Sequence, residues 1–188
     1  LKRLMDIIIS FLLIILLFPF FLILCFLIKI DSEGPIIFKQ MRYGFNKKKI
    51  MIYKLRTMLH SDNNASAFVV EKEDQITNLG FFLRKFRIDE FPQLINVLFG
   101  NMSIVGPRPE QILFADEFSK KLKDYDLRYT VKPGLTGLAQ ITTGYAFNLK
   151  TTELKTKFDK QYIENKSIIL DIKIILKTIP IIIFGRGL

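Results

Sequence analysis

The 188-residue sequence contains a single cysteine, Cys25, and a single histidine, His60. One cysteine excludes an internal disulfide framework and any Cys-rich metal site. One histidine argues against a multi-histidine zinc centre or a His relay. Acidic residues are scarce beside basic ones: 18 Asp+Glu against 28 Lys+Arg leave a net charge of +10 and a pI near 9.7. That excess suits an anionic partner, whether nucleic acid, acidic lipid or a phosphorylated small molecule. No internal repeat or low-complexity tract follows residue 30. What is present bounds the chain further. Its length supports one domain with a real core and is too short for two ordinary ones. Hydrophobic residues at 49% and a mean hydropathy of +0.26 exclude a disordered chain. Any catalysis must rest mainly on carboxylates, on bases such as Lys and Arg, and on an added metal where one is used.

The hydrophobicity is concentrated at the start. Ile7 to Ile28 carries no charge, and as straight helix this run of about 22 residues is ~33 Å long, enough for a bilayer core. It is long for a signal peptide, and no small-residue cleavage site follows it. Two courses remain open from the residues alone. One is a spanning anchor. The other is a helix bent at Pro19 that enters and leaves one leaflet. Pro19 removes a helix hydrogen bond near the middle of the run. Positive charge flanks both ends, Lys2 and Arg3 before it and Lys29, Lys39, Arg42 and Lys47-Lys48-Lys49 after it, which favours keeping both flanks on the cytoplasmic side.

Beyond the run, residues 36–40 and 49–55 read as strands joined by the turn-like Tyr43-Gly44-Phe45-Asn46, a hairpin. Residues 61–66 read as a polar loop. Gly80 to Phe86 has a helical mix of Phe, Leu, Arg and Lys. A second helix is expected from about Asp89 to Phe99, capped by Asp89, with Pro92 in its first turn and Gly100 closing it. Residues 109–123 look helical, and Pro133-Gly134-Leu135-Thr136-Gly137 reads as a turn. From Ser167 to Phe184 a strongly apolar stretch places Lys173 and Lys177 on one helix face, which suits either a helix lying in a membrane interface or an ordinary core-packing helix. The fold class is α+β: a membrane segment over residues 1–30, then a small, mostly helical domain over 31–188 with short strands and a C-terminal amphipathic helix at about 167–184.

The chemistry concentrates in Arg84-Lys85-Phe86-Arg87-Ile88-Asp89-Glu90. An acid pair here serves as an ordinary helix start, or as a reactive site in which a carboxylate among bases attacks phosphorus. Glu90 in that second role binds a hard divalent ion that also grips a diphosphate. Pro107-Arg108-Pro109 restricts the backbone around a guanidinium suited to clamping phosphate. Lys54-Leu55-Arg56 adds bases on an alternating segment, and residues 132–140 supply a loop where backbone can approach a ligand. His60, without an obvious partner, and Cys25, within an apolar helix, read as structurally ordinary.

The ordered set of motifs resembles a known family. It comprises Lys2-Arg3-x-x-Asp6, the proline-interrupted apolar helix, Gly34-Pro35-Ile36-Ile37-Phe38-Lys39-Gln40-Met41-Arg42-Tyr43-Gly44 and Tyr53-Lys54-Leu55-Arg56-Thr57-Met58. Ile88-Asp89-Glu90 with Gln93-Leu94-Ile95-Asn96-Val97-Leu98, residues 102–109 and residues 132–140 complete it. Across nearly the whole chain this resembles the bacterial sugar transferases, the monotopic phosphoglycosyl transferases, in their minimal single-domain form. The resemblance implies transfer of a sugar 1-phosphate from a nucleotide sugar, usually a UDP-sugar, to undecaprenyl phosphate, the first membrane step of surface glycan assembly. It implies Mg²⁺ and a covalent aspartyl-phosphosugar intermediate. By position, Asp89 would be the nucleophile and Glu90 the metal ligand of an acidic dyad. Lys54, Arg84 and Arg108, with Arg42 as a further candidate, would hold phosphates. It also implies a re-entrant helix broken at Pro19 and a place on the cytoplasmic face of the bacterial inner membrane, with downstream glycosyltransferases as partners.

Two positions depart from the family pattern: Asn101 stands where some relatives carry Asp, and Leu138 replaces a Trp often found before the Ala-Gln pair. Two alternatives without catalysis explain the charge and the apolar segment equally well, a membrane-anchored basic binding module and a scaffold. Neither explains acids embedded among bases, and the aromatic-rich stretches lack an RNA-binding signature, so nucleic acid is not an expected partner.

Overall fold

The computed structural model describes residues 1–59, 75–143 and 149–185. His60 and the loop expected at 61–66 lie outside the described residues. The architecture is α+β, as expected. A long helix α1 (Lys2–Asp31) leads to the hairpin β1 (Ile37–Tyr43) and β2 (Lys49–Leu55), followed by α2 (Asn78–Lys85) and α3 (Gln93–Leu98). Then come β3 (Ser103–Val105), α4 (Ile112–Lys121), β4 (Gly134–Thr136), α5 (Leu138–Thr143), α6 (Leu149–Asn165) and α7 (Ile168–Ile183).

The hairpin forms where alternation and turn residues placed it, with Ile37 opposite Leu55 and Tyr43 opposite Lys49. Its connection, Phe45–Lys47, carries Asn46 at φ 52, and Asn tolerates that left-handed backbone better than most residues. Two expectations are corrected. Residues 134–136 form a strand rather than only a turn, pairing in parallel with β3 through Ser103–Gly134 and Val105–Thr136. Glycine permits this close approach: a Cβ on Gly134 would stand 2.1 Å from the Gly106 nitrogen. Nor does Asp89 cap a helix running to Phe99. Residues 88–90 form a separate 3-10 turn, and α3 starts only at Gln93, after Pro92, whose ring has no N–H to donate.

The N-terminal apolar segment is one continuous helix that passes through Pro19. Proline removes a single hydrogen bond here without ending the helix, so the expected break into two helices is not seen. Both ends of α1 are fastened to the rest of the fold. At the start, Asp6 and Ser10 are buried, and Ile9, Leu13 and Ile14 pack on a core of Ile50, Ile52, Leu94, Val97 and Ile104. At the end, Leu24 and Ile28 are buried in a second core with Leu55, Leu83 and Ile88. The opposite side of the helix is apolar and open, with Leu16 73% and Phe26 67% exposed. On α7, Ile169, Leu176 and Ile183 are likewise exposed, while Ser167 caps its start by accepting from the Leu170 N–H. Exposed apolar area on this scale fits contact with lipid rather than water.

Arg56, from the segment after β2, closes the far end of α1. Its guanidinium donates to the carbonyls of Pro35 (2.7 Å), Ile28 (3.0 Å) and Ser32 (2.5 Å). Replacing Arg56 with Ala removes three hydrogen bonds to carbonyls at a largely buried helix end. It should lower unfolding free energy by about 2–4 kcal/mol. Arg56→Lys should recover only part, because one ammonium is a poor match for three separated carbonyls. Denaturant titration of the detergent-solubilised protein reads the difference.

Candidate active site

The acidic pair sits on a strained turn. Arg87, just before it, adopts a left-handed backbone at φ 55, which non-glycine residues enter at a cost. This twist ends α2 sharply and turns Asp89 and Glu90 inward, where they are 6% and 4% exposed. Three other segments bring cations to them. Lys54 comes from β2, Arg84 from the last turn of α2, and Arg108 from the loop after β3.

Glu90 takes most of this charge. Arg108 grips it through both guanidinium nitrogens, one bond Nη1 to Oε2 at 3.0 Å and the other Nη2 to Oε1. Lys54 Nζ donates to Glu90 Oε1 at 3.1 Å and stands 4.0 Å from Asp89 Oδ2. Arg84 Nε donates to Thr57 Oγ1 at 2.8 Å and its charge also bears on Asp89. Arg42 lies one layer behind. It donates to Gln40 Oε1 and to the Pro109 carbonyl (3.1 Å), with Glu110 at 4.0 Å. Of the anticipated residues, Asp89, Glu90, Lys54, Arg84 and Arg108 therefore converge, whereas Arg42 braces the Arg108 loop rather than facing the pair.

Adjacent in sequence, the two carboxyls differ chemically. Burial raises the Asp89 pKa to about 6, and the Glu90 charge adds to the rise while Lys54, Arg108 and Arg84 oppose it. Burial works the same way on Glu90, yet Arg108 and Lys54 outweigh it and hold that group well below the usual carboxylate range. Glu90 is thus a fixed anion with both oxygens engaged. Asp89 carries a carboxyl that ionises near neutrality, the state a nucleophile or proton acceptor needs.

A supporting group escaped the sequence reading. Arg128 Nη2 donates to the Arg108 carbonyl at 2.8 Å and pairs with Asp159 Oδ2 at 3.0 Å. Asp159 lies on the buried face of α6 with Thr152, Thr156 and Tyr162. These positions recur every three to four residues, but three of the four are polar or charged, so hydrophobic periodicity does not mark them. Glu110, partly buried near Arg128 and Arg42, is held below its ordinary pKa by Arg128, Lys155 and Arg42, against the effect of desolvation.

A family model described as bacterial sugar transferase matches residues 1–185. The sequence is 42% identical over 187 residues to a UDP-N-acetylgalactosamine-undecaprenyl-phosphate N-acetylgalactosaminephosphotransferase of Aeromonas hydrophila, covering 99% of this chain and 44% of that protein. It is 43% identical over 181 residues to a UDP-glucose:undecaprenyl-phosphate glucose-1-phosphate transferase of Klebsiella pneumoniae, covering 95% and 39%. An exopolysaccharide production protein of Rhizobium leguminosarum bv. phaseoli is 39% identical over 186 residues, covering 95% and 93%. The chain thus spans less than half of the first two relatives and nearly all of the third.

Neutralising Glu90 should release Lys54 and Arg108 to act on Asp89 and remove a neighbouring negative charge. In Glu90→Gln the Asp89 ionisation should therefore move below its value near 6, by about one pH unit or more. Infrared titration of the carboxyl band, assigned with Asp89→Asn, measures it. A midpoint that stays or rises contradicts the allocation of charge described here.

Proposed function

The chain belongs to the bacterial sugar transferase family, and from that membership we propose that it moves a sugar 1-phosphate from a UDP-sugar to undecaprenyl phosphate. The observation that carries the reading is the division of labour in the dyad, a fixed anion at Glu90 beside an ionisable, buried carboxyl at Asp89. A scaffold or simple binding module has no use for that division. The names of the relatives from Aeromonas hydrophila and Klebsiella pneumoniae point to the same class of donor and acceptor.

Under this reading an Asp89 carboxylate oxygen attacks the phosphorus that bears the sugar. A bond to phosphorus forms, the bond to the bridging oxygen breaks, and UMP leaves with the electron pair. A phosphate oxygen of undecaprenyl phosphate then attacks the same phosphorus and displaces the Asp89 carboxylate, giving the diphosphate-linked lipid sugar. Lys54, Arg84 and Arg108 hold the phosphates, and Glu90 keeps Lys54 and Arg108 aimed at them.

Magnesium fits as a partly protein-held ion. Asp89 and Glu90 offer hard oxygen donors, but Glu90 already contacts two cations, and no cluster of three or more His, Cys, Asp or Glu suited to a metal occurs among the described residues. The dyad would hold the ion with substrate phosphate oxygens completing its shell. When bound, it would supply charge neutralisation at the diphosphate.

We further place the protein at the cytoplasmic face of the bacterial inner membrane, with α1 entering and leaving one leaflet. A spanning helix would put its first residues across the bilayer. Here Arg3 bonds the Val97 and Leu98 carbonyls while the other end is held by Arg56, so both ends belong to one body of protein. With the helix continuous through Pro19, such a course comes from bending or tilting rather than from a helical break.

Mixing enzyme with UDP-sugar alone should add the mass of a phosphosugar, and Asp89→Asn should abolish both adduct and turnover. Attack requires the ionised form. With a pKa about 6, loading should be level above that pH and fall roughly tenfold per unit below it. Intact mass spectrometry across a donor panel checks this; product formation at the parental rate by the Asn variant would overturn the mechanism.

For topology, single cysteines replacing Leu1 or Lys39 in a Cys25→Ser background should both resist an impermeant thiol reagent in spheroplasts and react after lysis. Labelling at position 1 alone would indicate a spanning helix.

A further inference from the structure

The start of α1 carries three charged residues, Lys2, Arg3 and Asp6, that a membrane segment does not need for burial in lipid. All three bond to the framework behind the active site, Arg3 to α3, Asp6 to β3, and Lys2 to both β3 and α7. Arg3 donates through Nη1 to the Val97 carbonyl at 2.5 Å and through Nη2 to the Leu98 carbonyl at 2.6 Å, closing the last turn of α3. Asp6 Oδ1 accepts from Ser103 Oγ and from the Ile104 N–H, both at 3.0 Å, in β3. Lys2 Nζ donates to the Val105 carbonyl at 3.1 Å and pairs with Asp171 of α7 at 2.6 Å. Tyr162 completes the knot, its hydroxyl 2.8 Å from Asp171 Oδ1 and 3.1 Å from the Val105 carbonyl.

These contacts fall on two particular segments. Helix α3 begins at Gln93, three residues after Glu90, and β3 ends at Val105, three residues before Arg108. The dyad and its main cation are thus carried by two short elements, of six and three residues, neither of which is stable by itself. The start of α1 is bonded to both.

We propose that Lys2, Arg3 and Asp6 are positioning residues that set the register between the segment bearing Asp89 and Glu90 and the loop bearing Arg108, so that seating the membrane helix and assembling the site are one event. The kinetic part of this inference rests on the proposed role of Asp89 as nucleophile; the structural part does not. None of the three touches the dyad. Their effect passes through α3 and β3, and a displacement of Arg108 of about 1 Å is enough to slow a phosphoryl transfer by about a hundredfold.

The test uses the full chain in lipid nanodiscs, with Lys2→Met and Arg3→Met, and with Lys2→Arg and Arg3→Lys as conservative counterparts. Amide hydrogen exchange should rise about tenfold or more in residues 88–98 and 103–108 of the Met variants while the β1–β2 hairpin keeps its protection. With UDP-sugar alone, the rate constant for the burst of UMP release should fall about tenfold or more at unchanged amplitude, and the conservative variants should regain part of both. Unchanged exchange in the two segments overturns the proposal. So does loss of protection throughout, or a smaller burst at the parental rate constant, since each marks a general loss of folded protein. A parental protein that releases no UMP with any donor refutes the proposed function instead, and the exchange measurement still decides the positioning role.

Discussion

The site depends on the pairing of Glu90 with Arg108 and Lys54. A carboxylate this deeply buried costs several kcal/mol unless cations and hydrogen bonds compensate, and here a bidentate guanidinium and an ammonium do so. The same pairing joins β2, the turn at 88–90 and the loop after β3. It also governs Asp89. Because the nearest cations are directed mainly at Glu90, Asp89 retains the effect of its own burial and ionises near 6. Its folded-state pKa lies above that of an unfolded aspartate. The folded protein therefore binds more protons between pH about 4 and 6, and stability declines as pH rises through that window. Ionised Asp89 is a local sacrifice of stability, in the form that its proposed nucleophilic role requires.

Much of this architecture was legible in the amino-acid sequence, for identifiable reasons. The hairpin was readable because alternation and turn chemistry act over a few residues, and α7 because Ser167 precedes a strongly apolar run. Asp89, Glu90, Lys54, Arg84 and Arg108 were readable as a set of motifs in order. What escaped was non-local. β3 and β4 have three residues each and exist only because Gly106 and Gly134 let two backbones touch. Asp89 satisfies the local rule for a helix cap, yet the neighbouring cations and Pro92 override that rule. Asn96 falls inside the helix expected from Asp89 to Phe99, and nothing local marks that its side chain ties α3 to β2 by donating to the Met51 carbonyl at 2.7 Å. Arg128 and Asp159 were hidden by distance, standing 31 residues apart and meeting only after α6 folds back on the Arg108 loop.

The membrane helix illustrates how composition and contacts answer different questions. Composition says that Ile7 to Ile28 prefers lipid; it does not say on which side its ends emerge. The contacts of Arg3 and Arg56 bind both ends to one body of protein, and that is what supports the proposed re-entrant course. Proline contributes less than its reputation suggests. It deletes one hydrogen bond in a helix that otherwise continues, and what constrains the path of α1 is its polar attachment at both ends.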